Sequence, residues 1–251
     1  MADIVTLPTS GREEKPGFCT TPTARDIADR LTFCRNHHKM GCIIGASGVG
    51  KTTAIKEFAD RDSGVTLCRM TRAAGRLQPG LVRIATEMHA YATTNMGSAD
   101  IYDSILRKLS YPGNPLLILD EAQHMDDDLL ESVRDIYDER PVGIMLVGST
   151  ELADRWEAKS AAKRRKWAQL TSRLTVRLDI PAVPPEDIAA MCDHHGISGK
   201  RSLELLTRSA GRGGGLRNVN ERIALARKLA GDGPIQLNNL EEAERVIGVR
   251  D

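Results

Sequence analysis

With 251 residues, 41% of them apolar and 27% charged, the chain has the make-up of a folded globular protein, and its length suits an α/β core of roughly 150–180 residues plus a small appended domain. No apolar stretch approaches the ~18 residues needed to cross a bilayer, and the first residues carry no secretory apolar run, so no membrane partner and a cytoplasmic setting are expected. The five cysteines are odd in number, scattered and without a C-x-x-C pair, which predicts neither disulfides nor zinc.

Residues 1–22, rich in Pro, Gly, Ser and Thr, read as a flexible arm. Thr23 is placed to cap a helix over Ala24–His37, whose stripe is Ile27, Leu31 and Cys34. The short apolar run Cys42-Ile43-Ile44 reads as a buried strand, and Thr53–Ala59 as a helix. A strand is expected at Val65–Cys68, and helices at Leu81–Thr93 and Ala99–Leu109. Leu116–Leu119, after a Pro-Gly-Asn-Pro turn signal, fits a strand buried on both faces of a parallel sheet. A helix near Asp127–Glu139, a strand at Gly143–Val147 and a last strand at Leu174–Leu178 continue the alternation. That alternation predicts an α/β fold: a parallel sheet with helices on both faces over residues 23–180. Pro181, Pro184 and Pro185 break the pattern, and 181–251 reads as a small α-helical domain. The adjacent pairs His37-His38 and His194-His195 point about 100° apart on a helix and read as solvated.

Between the first strand and its helix lies Gly45-Ala46-Ser47-Gly48-Val49-Gly50-Lys51-Thr52, a full match to G-x-x-x-x-G-K-[ST]. In a strand–loop–helix setting the backbone N–H groups of this loop, continuing to Thr53, wrap the phosphates of a nucleoside triphosphate. Lys51 reaches the β- and γ-phosphates, and the Thr52 hydroxyl ligates Mg2+. The alternative, a chance glycine-rich turn, does not explain the flanking elements. Asp120 and Glu121, closing the Leu116–Leu119 strand, supply what hydrolysis adds: Asp120 for the magnesium shell, Glu121 to orient and polarise the attacking water. Two acids that merely cap the next helix are the competing reading. Ser149 or Thr150, following the strand Ile144–Val147, would place a hydroxyl near the γ-phosphate. Gly213-Gly214-Gly215-Leu216-Arg217 opens a helix running to about Leu229, from which Arg217 could reach the phosphates. Arg173 is a candidate arginine finger projecting into a neighbouring subunit's site; an intramolecular salt bridge is its alternative.

The ordered set of phosphate loop, Leu116–Glu121 acid strand, Ser149 or Thr150, Arg173 and Arg217 resembles the AAA+ ATPases over about residues 25–250. This implies a P-loop α/β core followed by a helical lid. Within that superfamily, Asp120-Glu121-Ala122-Gln123-His124 and the Val-Gly-Ser-Thr-Glu-Leu stretch most resemble the transposition ATPases of the phage Mu B protein, TnsC and TniB group. The resemblance implies an ATP- and Mg2+-dependent ATPase that assembles as a homo-oligomer, ring or filament, on duplex DNA without sequence preference, selects target sites and recruits a DDE transposase. Members of the Mu type carry an N-terminal DNA-binding helical domain that residues 1–22 are too short to hold, so the core itself is expected to bind DNA. A helicase loader or initiator, a P-loop small-molecule kinase and a nucleotide-switched scaffold are the rival readings.

Charge is unevenly spread around a net +1. Nine acids and one base lie between Asp120 and Glu139, and eight bases and one acid between Arg155 and Arg177. Such blocks point to polyanion partners or to contacts between subunits, or else to a solvated face. Phosphate neutralisation needs Lys and Arg. Arg69, Arg72, Arg76 and Arg83, with Arg107 and Lys108, are the favoured DNA contacts, in loops that by similarity to the group line a central pore. The Lys159–Lys166 block is assigned to a subunit or transposase contact. Trp156 and Trp167, which flank it, read as packing residues.

Overall fold

The computed structural model describes residues 17–157 and 161–248. Its centre is a five-stranded sheet in the order β2-β3-β4-β1-β5, formed by β1 (Met40–Gly45), β2 (Val65–Arg69), β3 (Leu116–Asp120), β4 (Gly143–Gly148) and β5 (Leu174–Ile180). All four pairings are parallel, with Cys42 opposite Leu146 and Leu67 opposite Ile118. The inner strands β1, β3 and β4 are buried at every residue, which explains why they read as continuous apolar runs. Edge strand β5 alternates, as expected where one face stays open.

Helices cover both faces. One layer sets α1 (Pro22–His37) and α2 (Lys51–Asp60) against Ile43, Ile118 and Val147. The other sets α3 (Leu77–Glu87), α4 (Ser98–Leu109), α5 (Asp127–Glu139), α6 (Thr150–Trp156) and α7 (Ala161–Thr171) on Cys42, Leu119 and Leu146. In α1, Ile27, Leu31 and Cys34 are fully buried, and each apolar side chain so placed contributes about 1.5–3 kcal/mol. Trp156 and Trp167 are 5% and 4% exposed, so both pack as expected.

Strand and helix ends differ from expectation in several elements, and two helices show why. The first helix begins two residues early: Thr21, not Thr23, is its cap, accepting the Ala24 N–H at 3.2 Å, and Pro22 takes the first turn where its missing N–H is not needed. The third helix spans Leu77–Glu87 rather than 81–93. Pro79 is tolerated in its first turn, and Gly80 lies inside it because a Cβ there would come within 2.2 Å of Leu129. It stops at a left-handed His89 (φ 55°), where the N–H groups of His89 and Ala90 return to the carbonyls of Thr86 and Ala85.

Beyond β5, α8 (Pro185–His194), α9 (Lys200–Gly211), α10 (Leu216–Ala230) and α11 (Leu237–Ile247) form a helical lid around Ile188, Leu206, Val219, Ile223 and Leu240. Of the segment expected to be a flexible arm, residues 1–16 lie outside the described residues. Cys19 packs on the lid cluster, and Thr23 N–H donates to buried Asp187 of α8 at 3.0 Å, joining lid to core.

Candidate nucleotide site

The loop between β1 and α2 turns through left-handed Gly48 (φ 80°) and Gly50 (φ 94°), and Val49 plugs it into the core at 2% exposure. Lys51 Nζ donates to the carbonyls of Gly45 and Ala46, at 2.7 and 2.8 Å, so the ammonium lies folded against the loop that carries it. Burial lowers its pKa, and Glu121 and Asp120 act in the opposite sense. Thr52 Oγ1 donates to Asp120 Oδ2 at 2.9 Å, joining the start of α2 to the end of β3. Asp120 is 3% exposed, and burial raises its pKa although Thr52 and the Glu121 N–H both hydrogen-bond to the carboxylate. Two hard oxygen donors at the cleft, one of them a carboxylate that its surroundings leave under-compensated, are a donor set that fits a divalent cation.

The cleft above this pair has a volume of about 800 Å³. Its floor includes Ser47, Gly48, Gly50, Lys51, Thr52, Thr53 and Glu121. The sequence reading missed much of its outer wall: Phe18, Cys19 and Thr21 on one side, Met191, His195 and Arg227 on the other. A signal for the lid side exists in retrospect, because Arg217, Asn220, Glu221, Ala224, Arg227 and Lys228 follow the 3.6-residue period and form one stripe of α10 facing the cleft. His195 is therefore not simply solvated: it lines the cleft, and burial together with His194 and Arg227 lowers its pKa.

Arg217 lines the same cleft. It is brought there by Gly213–Gly215. Gly215 adopts φ 59°, and Leu216 N–H donates to Gly48 O at 2.8 Å. The approach leaves no room for a side chain: a Cβ on Gly48 would sit 2.1 Å from Gly214 O, and one on Gly215 would sit 2.6 Å from Gly48 O. Ser149 caps α6 at the end of β4, and its Oγ is buried with no hydrogen-bond partner among the described residues. Glu121 is itself left-handed (φ 57°, ψ 37°), a conformation that costs a non-glycine residue of order 1 kcal/mol. Its carboxylate accepts from Gln123 Nε2, and its other oxygen lies 3.9 Å from Arg69.

Arg173 is not at this cleft. It precedes β5 and forms a two-pronged pair with Asp138 of α5, at 3.0 and 2.9 Å. The two charge blocks likewise meet within one chain, where subunit contacts were one expectation. Asp127 holds both Arg155 and Lys166, and Asp138 holds Arg173, whereas Arg177 pairs with Glu157 inside its own block. Lys159 and the side chains of Lys163 and Arg164 lie outside the described residues; Arg165 is exposed.

The six bases expected to meet DNA do not form one surface. Exposed Arg69, Arg72 and Arg76 follow the C-terminal end of β2, on the nucleotide edge of the sheet. Arg83 pairs with Glu87 at 3.2 Å. Arg107 and Lys108 close α4 at the opposite edge, where strands begin: Arg140, just before β4, donates to Leu106 O at 3.1 Å. The loop bearing Arg72 is bonded to the acid segment, with Asp126 N–H donating to Gly75 O at 2.6 Å and Met70 N–H to Asp120 O at 2.8 Å.

A parallel sheet of this order, a phosphate loop backed by Asp120 and a lid reaching the same cleft define a P-loop protein of the AAA+ class. Residues 34–156 match the family model described as an AAA domain, and residues 172–245 match the one described as Mu B transposition protein, C terminal. The chain thus resembles an AAA domain over its core and the Mu B C-terminal region over its helical end. It is 29% identical over 212 residues to the Mu-like prophage FluMu DNA transposition protein B of Haemophilus influenzae, covering 84% of this chain and 73% of that one. It is 27% identical over 214 residues to the ATP-dependent target DNA activator B of Escherichia phage Mu, covering 85% and 67%. Among solved structures, the ADP form of Aeropyrum pernix ORC2 shares the fold, with a TM-score of 0.62 at 19% identity over 99% of this chain and 73% of that one. So does Cdc6p of Pyrobaculum aerophilum, with a TM-score of 0.64 at 13% identity over 94% and 71%.

Proposed function

We propose that this chain is an ATPase that assembles as a homo-oligomer on duplex DNA when ATP is bound, marks target sites, and recruits or activates a DDE transposase. The observation that carries the reading is the shared cleft, lined by the phosphate loop, Glu121 and Arg217, with Asp120 bonded to Thr52 beneath it. Its biological setting is suggested by the relatives it resembles, transposition protein B of the Mu-like prophage and the target DNA activator of phage Mu.

In this reading Lys51 leaves the Gly45 and Ala46 carbonyls for the β- and γ-phosphates, and the loop N–H groups hold the rest of the chain of phosphates. Thr52 and Asp120 would hold Mg2+, which when bound supplies charge neutralisation on the phosphate oxygens. Glu121 orients the attacking water and accepts its proton. The Ser149 hydroxyl donates toward the γ-phosphate, and Arg217 stabilises its developing charge from the lid side. Arg173 exchanges Asp138 for the nucleotide of a neighbouring subunit, so ATP joins subunits and its hydrolysis loosens them. Arg69, Arg72 and Arg76 meet DNA phosphates, on a loop bonded to the acid segment, which links DNA contact to the hydrolytic residues.

The test is negative-stain electron microscopy of the purified chain with a random-sequence duplex, in ATP, in ADP and without nucleotide. Rings or filaments on DNA in ATP alone, lost in Lys51→Ala, are the expected result. Discrete particles that ignore DNA in every state would sink the proposal.

A further inference from the structure

We infer that Gln123 is a positioning residue for the hydrolytic step, tying the direction of the Glu121 carboxylate to the end of β4. The inference rests on the proposed ATPase reading and adds to it a residue with no assigned role.

The side-chain amide of Gln123 bridges two elements. Its Oε1 accepts the Ser149 N–H at 3.2 Å, and its Nε2 donates to Glu121 Oε2. The Ser149 N–H can only donate, so it fixes which end of the amide faces β4 and leaves the NH2 group for Glu121. Space for this is built into the strand end: a Cβ on Gly148 would come within 2.8 Å of Gln123 Oε1, so any larger residue there would displace the amide. Glu121 meanwhile sits in a left-handed backbone conformation that persists only where its surroundings over-determine it. Each oxygen of its carboxylate has its own neighbour, Gln123 for one and Arg69, at 3.9 Å, for the other. The same Ser149 carries a buried hydroxyl with no hydrogen-bond partner among the described residues. Whatever Ser149 gains or loses when a phosphate arrives or leaves therefore reaches Glu121 through one side chain. Gln123 does not touch the phosphates; it acts through Glu121.

The experiment uses the full chain with ATP and random duplex, comparing Gln123→Met, which keeps the shape and loses both bonds, with Gln123→Glu, which can still accept from Ser149 but cannot donate to Glu121. Both are expected to lower kcat by about tenfold or more while leaving KM for ATP within about twofold. A kcat within twofold of the native value in either variant, or a change confined to KM, overturns the inference. A second readout needs no turnover: hydrogen exchange of the Gln123 side-chain amide, followed by NMR, is expected to be slow in the native chain and about tenfold faster in Glu121→Ala. Equal rates overturn the bridge. A native chain that turns over no ATP on DNA overturns the proposed function instead, and the exchange measurement then decides Gln123 alone.

Discussion

Asp120 is held in an environment that suits a cation better than it suits the chain. Its carboxylate is buried, its pKa is raised by that burial, and the hydrogen bonds from Thr52 and the Glu121 amide only partly compensate. For a carboxyl raised in the fold, the sign is unfavourable: the native state gains relative stability as pH falls and loses it as pH rises through the shifted value. Asp120→Asn removes the charge and keeps the oxygen that faces Thr52 but loses the bond from the Glu121 N–H, so the melting temperature of the nucleotide-free chain is expected to rise, relief of desolvation exceeding one lost hydrogen bond. The same change should abolish Mg2+-dependent turnover. A lower melting temperature in differential scanning calorimetry would show that hydrogen bonding, not desolvation, dominates at this residue.

At the level of elements, an ionic cluster joins three helices of the lid beside its apolar core. Arg222 of α10, 1% exposed, pairs with Glu244 of α11, which also accepts from Ser209 of α9 at 3.1 Å and from Arg212. Burial opposes ionisation of Glu244, but Arg222 and its other partners outweigh burial and lower its pKa. The cluster's contribution is thus complete above the ordinary glutamate range, near about pH 4.3, and is lost as pH falls below it. Glu244→Ala strands a buried guanidinium and is expected to cost about 3 kcal/mol in urea denaturation, whereas Arg222→Met should cost about 1 kcal/mol or less. None of this was legible in the sequence, because it depends on three helices meeting. What could be read was what a single segment determines: the phosphate loop, the buried strands β1, β3 and β4, and helices whose apolar period was clean, such as α4 and α5. The start of α3 was hidden because Pro79-Gly80 looks like a turn when its packing against Leu129 is unknown. Asp120 and Thr52 could be paired by motif, but Gln123 could not, since its partners are the main chain just past β4 and a neighbouring side chain. The six candidate DNA bases could be counted but not placed, because which edge of a sheet a residue reaches is a property of topology.

Across the whole molecule, the acidic and basic blocks are joined in cis at Asp127 and Asp138, and this bears on assembly. Arg173 in the isolated chain is occupied by Asp138, so a neighbour's nucleotide must outcompete that carboxylate. If Arg173 completes the adjacent site, two inactive variants should rescue each other: an equimolar mixture of Glu121→Gln and Arg173→Ala is expected to recover roughly a quarter of native turnover, from junctions that hold one intact residue of each kind. A mixture as inactive as its components would place Arg173 outside the site. A different constraint follows from the place where Gly48 and the Gly214–Gly215 turn touch. A contact made of backbone alone has no side chain to trim, so mutation cannot weaken it by degrees; it is either seated or broken. Under the proposed function, loop and lid would then act as a bearing and its journal, a bound nucleotide leaving only when both shift together. In that case the adjustable part would be the connection 181–184 between β5 and α8, where substitutions are expected to change the speed of nucleotide exchange without altering the seat.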